Sequence, residues 1–241
     1  MSVEAEPSLA QAGPTLGLLP TQQLLLDQVP AQPDGDWLAL QLHPLELQRW
    51  HGLSWPKRRR DWLAGRLCAK SALRRLLPRE LAAPSQLLIG SDALARPCLP
   101  GSALYLSISH SRRRAMAVAD HSPLGLDTEV HEAVQAQSLQ MLVPAEEVAV
   151  TVAQLGVSAR QARTLLWCLK EARFKCQGSG SFVALAQGWR LLGWSADAQP
   201  RWTAQAAWPP APAGMGWHVS LYANEQEACA LVHAQPQSTH S

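Results

Sequence analysis

The apolar positions of this chain change period several times, and each change marks an element. Trp37–Leu42 (W-L-A-L-Q-L) alternates and predicts an early strand. From Arg60 to Leu77, Trp62, Leu63, Leu67, Leu73, Leu76 and Leu77 recur at helical spacing, and Pro78 ends the helix. Leu87–Ile89 is a short apolar run, followed by turn residues at Arg96-Pro97 and Pro100-Gly101. Ala103–Ile108 alternates and reads as a strand that stops at Ser109-His110-Ser111. With the apolar run Ala115–Ala119 it forms a β-hairpin. Leu124–Val130 is a further strand. Pro144 to about Leu155 is weakly helical, and Ser158–Gln177 is a stronger helix with Ser158 as N-cap and Gly178 as stop. Trp217–Tyr222 and Cys229–His233 close the chain as a pair of strands.

No short repeat is visible. Each half nevertheless runs from a long helix into strands, which permits a two-lobed α+β architecture. The expected boundaries are a loose extension over 1–35, an N-terminal α+β lobe over 36–122, a C-terminal α+β lobe over 123–234 and a polar tail over 235–241.

Composition narrows the class. The 241 residues are 47% apolar and 17% charged, with net charge +2, which excludes a disordered chain. Gly 15 and Pro 18 follow no period, so the chain is not fibrous. No apolar stretch approaches the ~18 residues of a membrane span. Met1–Ala10 carries Glu4 and Glu6 and no basic residue, unlike a secretory signal, so a cytoplasmic protein is expected. The five cysteines form no C-x-x-C, and buried thiols are expected rather than disulfides or zinc. The ten tryptophans are scattered and read as core and rim residues, not as a base-stacking platform.

The small net charge hides an asymmetry. His43–Glu80 holds ten Lys/Arg against three acidic residues, a net +7, leaving −5 for the rest. Arg66, Lys70 and Arg74 are four apart and share a helix face, which is either a solvated basic face or an anion-binding one.

Three groups of residues carry candidate chemistry. Asp127 and Glu129 are two apart in a strand and so share a face. They are either an ordinary solvent-facing edge or a site for a hard cation such as Mg²⁺. Trp167, Glu171 and Lys175 share a helix face, as a structural ion pair or as a third carboxylate with a lysine aimed at phosphate. Ser109-His110 at a strand end, followed by Arg112, Arg113 and Arg114, suits phosphate contact.

Their order along the chain is more telling than any one of them. A-G-R-x-x-A-K (Ala64 to Lys70) is followed by S-I-S-H-S (Ser107 to Ser111), then G-L-D-T-E (Gly125 to Glu129). W-x-x-K-E-A-x-x-K (Trp167 to Lys175) comes next, with Gly178 and Gly180 just after. This order resembles the 4′-phosphopantetheinyl transferases, specifically the long, single-chain surfactin-synthetase-activating type, from about His43 to Gly180. The resemblance implies a pseudo-twofold monomer of two α+β lobes with coenzyme A in the cleft between them. It implies Asp127, Glu129 and Glu171 as Mg²⁺ ligands, and Glu171 and Lys175 as catalytic residues. It places Arg60, Arg66, Arg96, Ser109, His110, Lys170 and Lys175 around coenzyme A. An arginine of Arg58–Arg60 is expected to reach the nucleotide. The family's G-K-P stands here as Ala95-Arg96-Pro97, which keeps the charge and loses the glycine, and Ser181-Phe182 replaces a small apolar residue.

The implied reaction moves phosphopantetheine from coenzyme A to a serine of an apo acyl or peptidyl carrier protein, releasing adenosine 3′,5′-bisphosphate. Glu171, or a metal-bound water that it activates, is the expected base. The +7 stretch would dock an acidic carrier protein. No nucleic-acid motif accompanies it, so nucleic acid is not an expected partner. The rival readings are a Mg²⁺-dependent phosphohydrolase and a non-catalytic relative that binds coenzyme A or a carrier protein.

Overall fold

The computed structural model describes residues 11–12, 21–78, 83–134, 141–177, 180–195, 200–202 and 212–236. Gly178 and the 237–241 end of the expected tail lie outside the described residues. The chain runs β1 (Gln11–Ala12), β2 (Gln22–Leu25), α1 (Gly35–Gln41), α2 (Pro44–His51), α3 (Pro56–Arg74), β3 (Gly90–Ser91), β4 (Pro97–Cys98), β5 (Tyr105–His110), β6 (Arg114–Asp120) and β7 (Leu124–Val130). It continues through α4 (Ala145–Leu155), α5 (Ala159–Gln177), α6 (Phe182–Gly188), β8 (Leu191–Trp194), β9 (Pro200–Trp202), β10 (Met215–Ala223) and β11 (Glu227–Pro236). It is a mixed helix-and-sheet protein. No described helix is long and apolar enough to cross a membrane.

Six strands form one antiparallel sheet in the order β1-β2-β6-β5-β4-β3, and three form a second in the order β10-β11-β7. The sheets meet where β5 faces β7. There serine hydroxyls replace backbone ladder bonds: Ser107 Oγ accepts from the Leu126 N–H at 2.9 Å and Ser109 Oγ from the Thr128 N–H at 3.3 Å. β6 is buried on both faces. Ala115, Ala117 and Ala119 belong to the core under α3, while Met116 and Val118 pack with Leu124, Leu126 and Leu231. A strand covered on both faces has no polar alternation to show, which is why A-M-A-V-A reads as continuous.

Two expectations fail. Trp37–Leu42 is not a strand but lies in and just after α1. Asp34 Oδ1 accepts from the N–H groups of Asp36 (2.9 Å) and Trp37 (3.1 Å), and this cap starts a helix. Leu38 and Leu42, each 1% exposed, are one helical turn apart. Residues 1–35 are not loose throughout either. Gln22–Leu25 pairs with Arg114–Ala117 and buries Leu24 and Leu26 in the first core.

The long helices α3 and α5 each cover a sheet, and each is tied down by a buried lysine. Lys70 of α3 pairs with Glu46 of α2 and donates to the carbonyls of Gln41 (2.9 Å) and Pro84 (2.8 Å). Lys170 of α5 pairs with Glu147 of α4 at 2.9 Å and donates to the carbonyls of Leu142, Ala186 and Trp189. A buried ammonium is tolerable only when its three protons find acceptors. The expected cap of α5 is present, since Ser158 Oγ accepts from the Gln161 N–H at 3.2 Å.

Candidate active site

The candidate site lies where β5, β7 and α5 meet. Strand alternation turns Asp127 inward, 2% exposed, toward Ser109 on β5. Ser109 Oγ donates to Asp127 Oδ1 at 2.8 Å, and Lys175 Nζ reaches the same oxygen at 2.6 Å. Lys175 also donates to Ser109 Oγ at 3.1 Å and stands 4.0 Å from Glu171. Asp127 Oδ2 is buried without a hydrogen-bond partner. α5 seats on β7 at one glycine: a Cβ on Gly125 would overlap the Ala172 carbonyl oxygen and stand 2.6 Å from the Cys176 nitrogen.

The electrostatics are those of crowded carboxylates. Burial first, then the charges of Asp127 and Glu171, push the Glu129 carboxyl up to about 7. Burial and Asp127 likewise push Glu171 up to about 7. Burial opposes the Lys175 ammonium, but Asp127 outweighs it and raises that pKa. The cluster is short of positive charge. Its buried, unpartnered oxygen and its hard oxygen donors fit a divalent cation. As the side chains stand, Lys175 occupies Asp127, and among the described residues no group of three His, Cys, Asp or Glu side chains is disposed to hold a metal.

Two cavities flank the cluster. One of about 310 Å³ is lined by Arg96, Cys98, Tyr105, Leu124 and Lys175 among others. Arg96 is fixed there by a two-point contact with Asp92, at 2.7 Å for each nitrogen. The turn survives the loss of the glycine because Ala95 takes up φ 59° itself. The other cavity, about 610 Å³, is lined by Trp55, Lys57, Arg58, Trp62, Arg66 and His110 among others. His110 follows Ser109 in β5 and so points to the opposite side, into this cavity. Its pKa is lowered, first by desolvation and then by Lys175.

The structure thus brings together Ser109, Asp127, Glu129, Glu171 and Lys175, with Arg96 on one side and His110 and Arg66 on the other. It takes Lys170 out of the coenzyme A set, because that side chain is 0% exposed and saturated by Glu147 and three carbonyls. Arg60 does not line either cavity and leans toward Asp61 at 3.9 Å. Arg59 is folded back onto the carbonyls of Leu53 and His51. Within Arg58–Arg60 it is Arg58 that lines the larger cavity. Sequence reasoning missed the sheet-joining role of Ser107 and the paired tryptophans of that cavity. Trp62 lies one turn before Arg66 and was legible as its neighbour, with the guanidinium 4.8 Å above the ring centre.

Such a basic-flanked carboxylate cluster between two sheets places the chain in a phosphoryl-chemistry class. Two family models match it, the 4′-phosphopantetheinyl transferase N-terminal domain over residues 52–120 and the 4′-phosphopantetheinyl transferase superfamily over 123–232. The chain belongs to that superfamily of transferases. It is 36% identical over 122 residues to enterobactin synthase component D of Escherichia coli (strain K12), covering 49% of this chain and 54% of that protein. The matched region therefore spans about half the length of that curated relative.

Proposed function

We propose that this protein transfers 4′-phosphopantetheine from coenzyme A to a serine of an apo acyl or peptidyl carrier protein, leaving adenosine 3′,5′-bisphosphate. The observation that carries the reading is the Asp127 carboxylate, with one oxygen held by Ser109 and Lys175 and the other buried and unpartnered beside two carboxyls near pKa 7. The finer reading is a monomer of the long surfactin-synthetase-activating type, cytoplasmic, with two pseudo-symmetric lobes and coenzyme A in the cleft between them. The lobe boundaries are those expected at 36–122 and 123–234.

Asp127, Glu129 and Glu171 would hold Mg²⁺, which supplies charge neutralisation to a pyrophosphate when bound. Lys175 would give an ammonium to the same phosphate oxygens in exchange for its present contact with Asp127. Arg66, Arg96, Ser109 and His110 would hold the phosphates of coenzyme A from the two cavities, and Arg58 takes the place expected of Arg60. Glu171 is the base for the carrier serine, since a carboxylate near pKa 7 can accept a proton at neutral pH. The basic residues of α3 would steer an acidic carrier protein toward the site, and that association weakens as salt rises.

Intact-mass spectrometry of an apo carrier protein after incubation with the protein, coenzyme A and Mg²⁺ tests the reading, with an EDTA control. A gain of one phosphopantetheine, lost with EDTA, is expected. Release of free phosphopantetheine with unmodified carrier would make the protein a hydrolase. Coenzyme A binding without either product would make it a non-catalytic relative.

A further inference from the structure

The buried acid of the first half does more than neutralise its lysine. Glu46 is 2% exposed and both of its oxygens are engaged. Oε2 meets Lys70 and accepts from the His43 N–H at 3.1 Å. Oε1 accepts from the Ile89 N–H at 3.1 Å and faces Arg66 Nε at 3.4 Å. The opposite side of Arg66 lies over the Trp62 ring. Arg66 is thus gripped between a carboxylate and an indole, and its side chain is 12% exposed at the wall of the larger cavity.

The charges in this cluster do not cancel. One carboxylate faces two cations, and a guanidinium stays protonated even when desolvation lowers its pKa. One positive charge is left over. Lys70 is spent on Glu46 and two carbonyls, so the surplus is presented by Arg66 to the cavity, beside Lys57, Arg58 and His110. Among the described residues no hydrogen bond is made by the two terminal nitrogens of Arg66, which leaves its fork free for an anion.

We infer that Glu46 is a positioning residue for substrate binding: it fixes the Arg66 guanidinium against Trp62 with its fork open to a phosphate of coenzyme A. The inference rests on the proposed function for the identity of the anion. Glu46 itself touches no substrate. It acts by pre-organising a side chain that would otherwise spread over many rotamers.

Isothermal titration of the intact protein with coenzyme A tests this, because it needs no transfer. Glu46→Gln removes the charge that grips Arg66, and the Kd for coenzyme A is expected to rise about tenfold, the scale of one charged hydrogen bond. Arg66→Gln should raise it by a similar factor, and the double variant should be no worse than Arg66→Gln alone. Lys70→Met breaks the same buried cluster but leaves Glu46 facing Arg66. It should lower Tm while keeping Kd within about twofold of the unsubstituted protein. Trp62→Leu, which loosens the grip from the other side, should raise Kd and serves if Glu46→Gln does not fold.

Equal Kd values for Glu46→Gln and the unsubstituted protein would overturn the inference. So would Lys70→Met raising Kd as much as Glu46→Gln, since the effect would then be structural, or additive effects in the double variant. Failure of the unsubstituted protein to bind coenzyme A would instead remove the proposed function.

Discussion

Helices α3 and α5 are the same length, 19 residues, and are held in nearly the same way, yet one ends in a basic cavity and the other in an acidic cluster. Cys68 and Cys168 each donate to a neighbouring strand carbonyl, of Ala115 and Ala228, at 3.5 Å. Two residues on, Lys70 and Lys170 each pair with a buried glutamate of the preceding helix. That glutamate accepts a backbone N–H in turn, from Ile89 or Leu191. The difference lies one residue after the lysine. Ser71 donates to Gln22 Oε1 at 2.9 Å and binds the N-terminal strand β2, whereas Glu171 joins the carboxylate site. The two helices share their anchoring and differ in what the next residue is left to do.

The largest expected effect separates how each helix lies on its sheet. In the first half the small residue is on the helix, and a Cβ on Gly65 would meet only the Ile108 Cγ2 methyl at 3.2 Å. In the second it is on the strand, and a Cβ on Gly125 would collide with helix backbone. Gly125→Ala should cost more than about 3 kcal/mol of stability, in the range of severe overpacking. Gly65→Ala should stay within about 1 kcal/mol, because the methyl can give and alanine favours the helix. Chemical denaturation of both variants checks this, and equal losses would refute the asymmetry.

Breaking the anchors comes next. Lys170→Met leaves Glu147 buried without its ammonium and should cost about 3–5 kcal/mol, as should Lys70→Met with respect to Glu46. The paired replacements should diverge. Lys170→Met with Glu147→Leu should recover most of the loss, since a buried ion pair exchanged for apolar side chains is often neutral. Lys70→Met with Glu46→Leu should recover little, because Arg66 is left in the wall without its counter-charge. Recovery in both would mean that Glu46 carries no duty beyond its lysine.

These anchors show where the sequence was legible. The motif strings located β5, β7 and α5 and the residues that converge there, because strand and helix periods fix which positions share a face. The periodicity could not separate Lys170 from Lys175. Both lie on one helix five residues apart, yet one is saturated by Glu147 and the other is 29% exposed at Asp127. That distinction depends on α4 and on the loop at Leu142, which are distant in sequence. The strand expected at Trp37–Leu42 failed for a local reason: leucines at i and i+4 imitate alternation when another leucine falls between them, and Asp34 decides for the helix. The correspondence of Cys68-x-Lys70 with Cys168-x-Lys170 is too short to register as a repeat, and only the shared hydrogen bonds give it meaning.

A smaller effect concerns pH and belongs to the second half. Glu129 and Glu171 titrate near 7 in the folded protein against an ordinary 4.5. Between those values the folded protein keeps protons that the unfolded chain has released, so metal-free stability falls as pH rises through that window. His233 runs the other way. Burial, and then its cross-strand neighbour His218, lower its pKa to about 4, so its contribution grows from about pH 4 to 6.5. Thermal melts of metal-free protein should therefore show a decline above about pH 6.5 once the His233 gain is complete. Glu171→Gln should flatten the decline. Added Mg²⁺ should raise Tm more at pH 7.5 than at pH 5.5, because the carboxylates must be ionised to bind it. An increment that does not change with pH would remove these carboxylates as the ligands.

The smallest effect is at the turn that carries Arg96. Ala95 adopts φ 59°, a left-handed conformation that costs a residue with a Cβ roughly 1–2 kcal/mol. The turn is kept by the Ala95 N–H to Asp92 O bond at 3.0 Å and by the Asp92 carboxylate, which accepts from the N–H groups of Leu94 and Arg96, each at 2.9 Å. Ala95→Gly relieves the strain but also frees the unfolded chain, which offsets about 0.4–1 kcal/mol. A net gain of up to about 1 kcal/mol is expected, with Kd for coenzyme A unchanged, since Asp92 continues to hold the guanidinium. The contrast with Gly125→Ala is the point of the test: one site has lost a glycine at small cost because the strain is torsional and local, while the other cannot lose it because the obstacle is the backbone of the helix that carries Glu171 and Lys175. Loss of stability in Ala95→Gly would mean that the alanine methyl packs in the folded protein and outweighs the torsional relief.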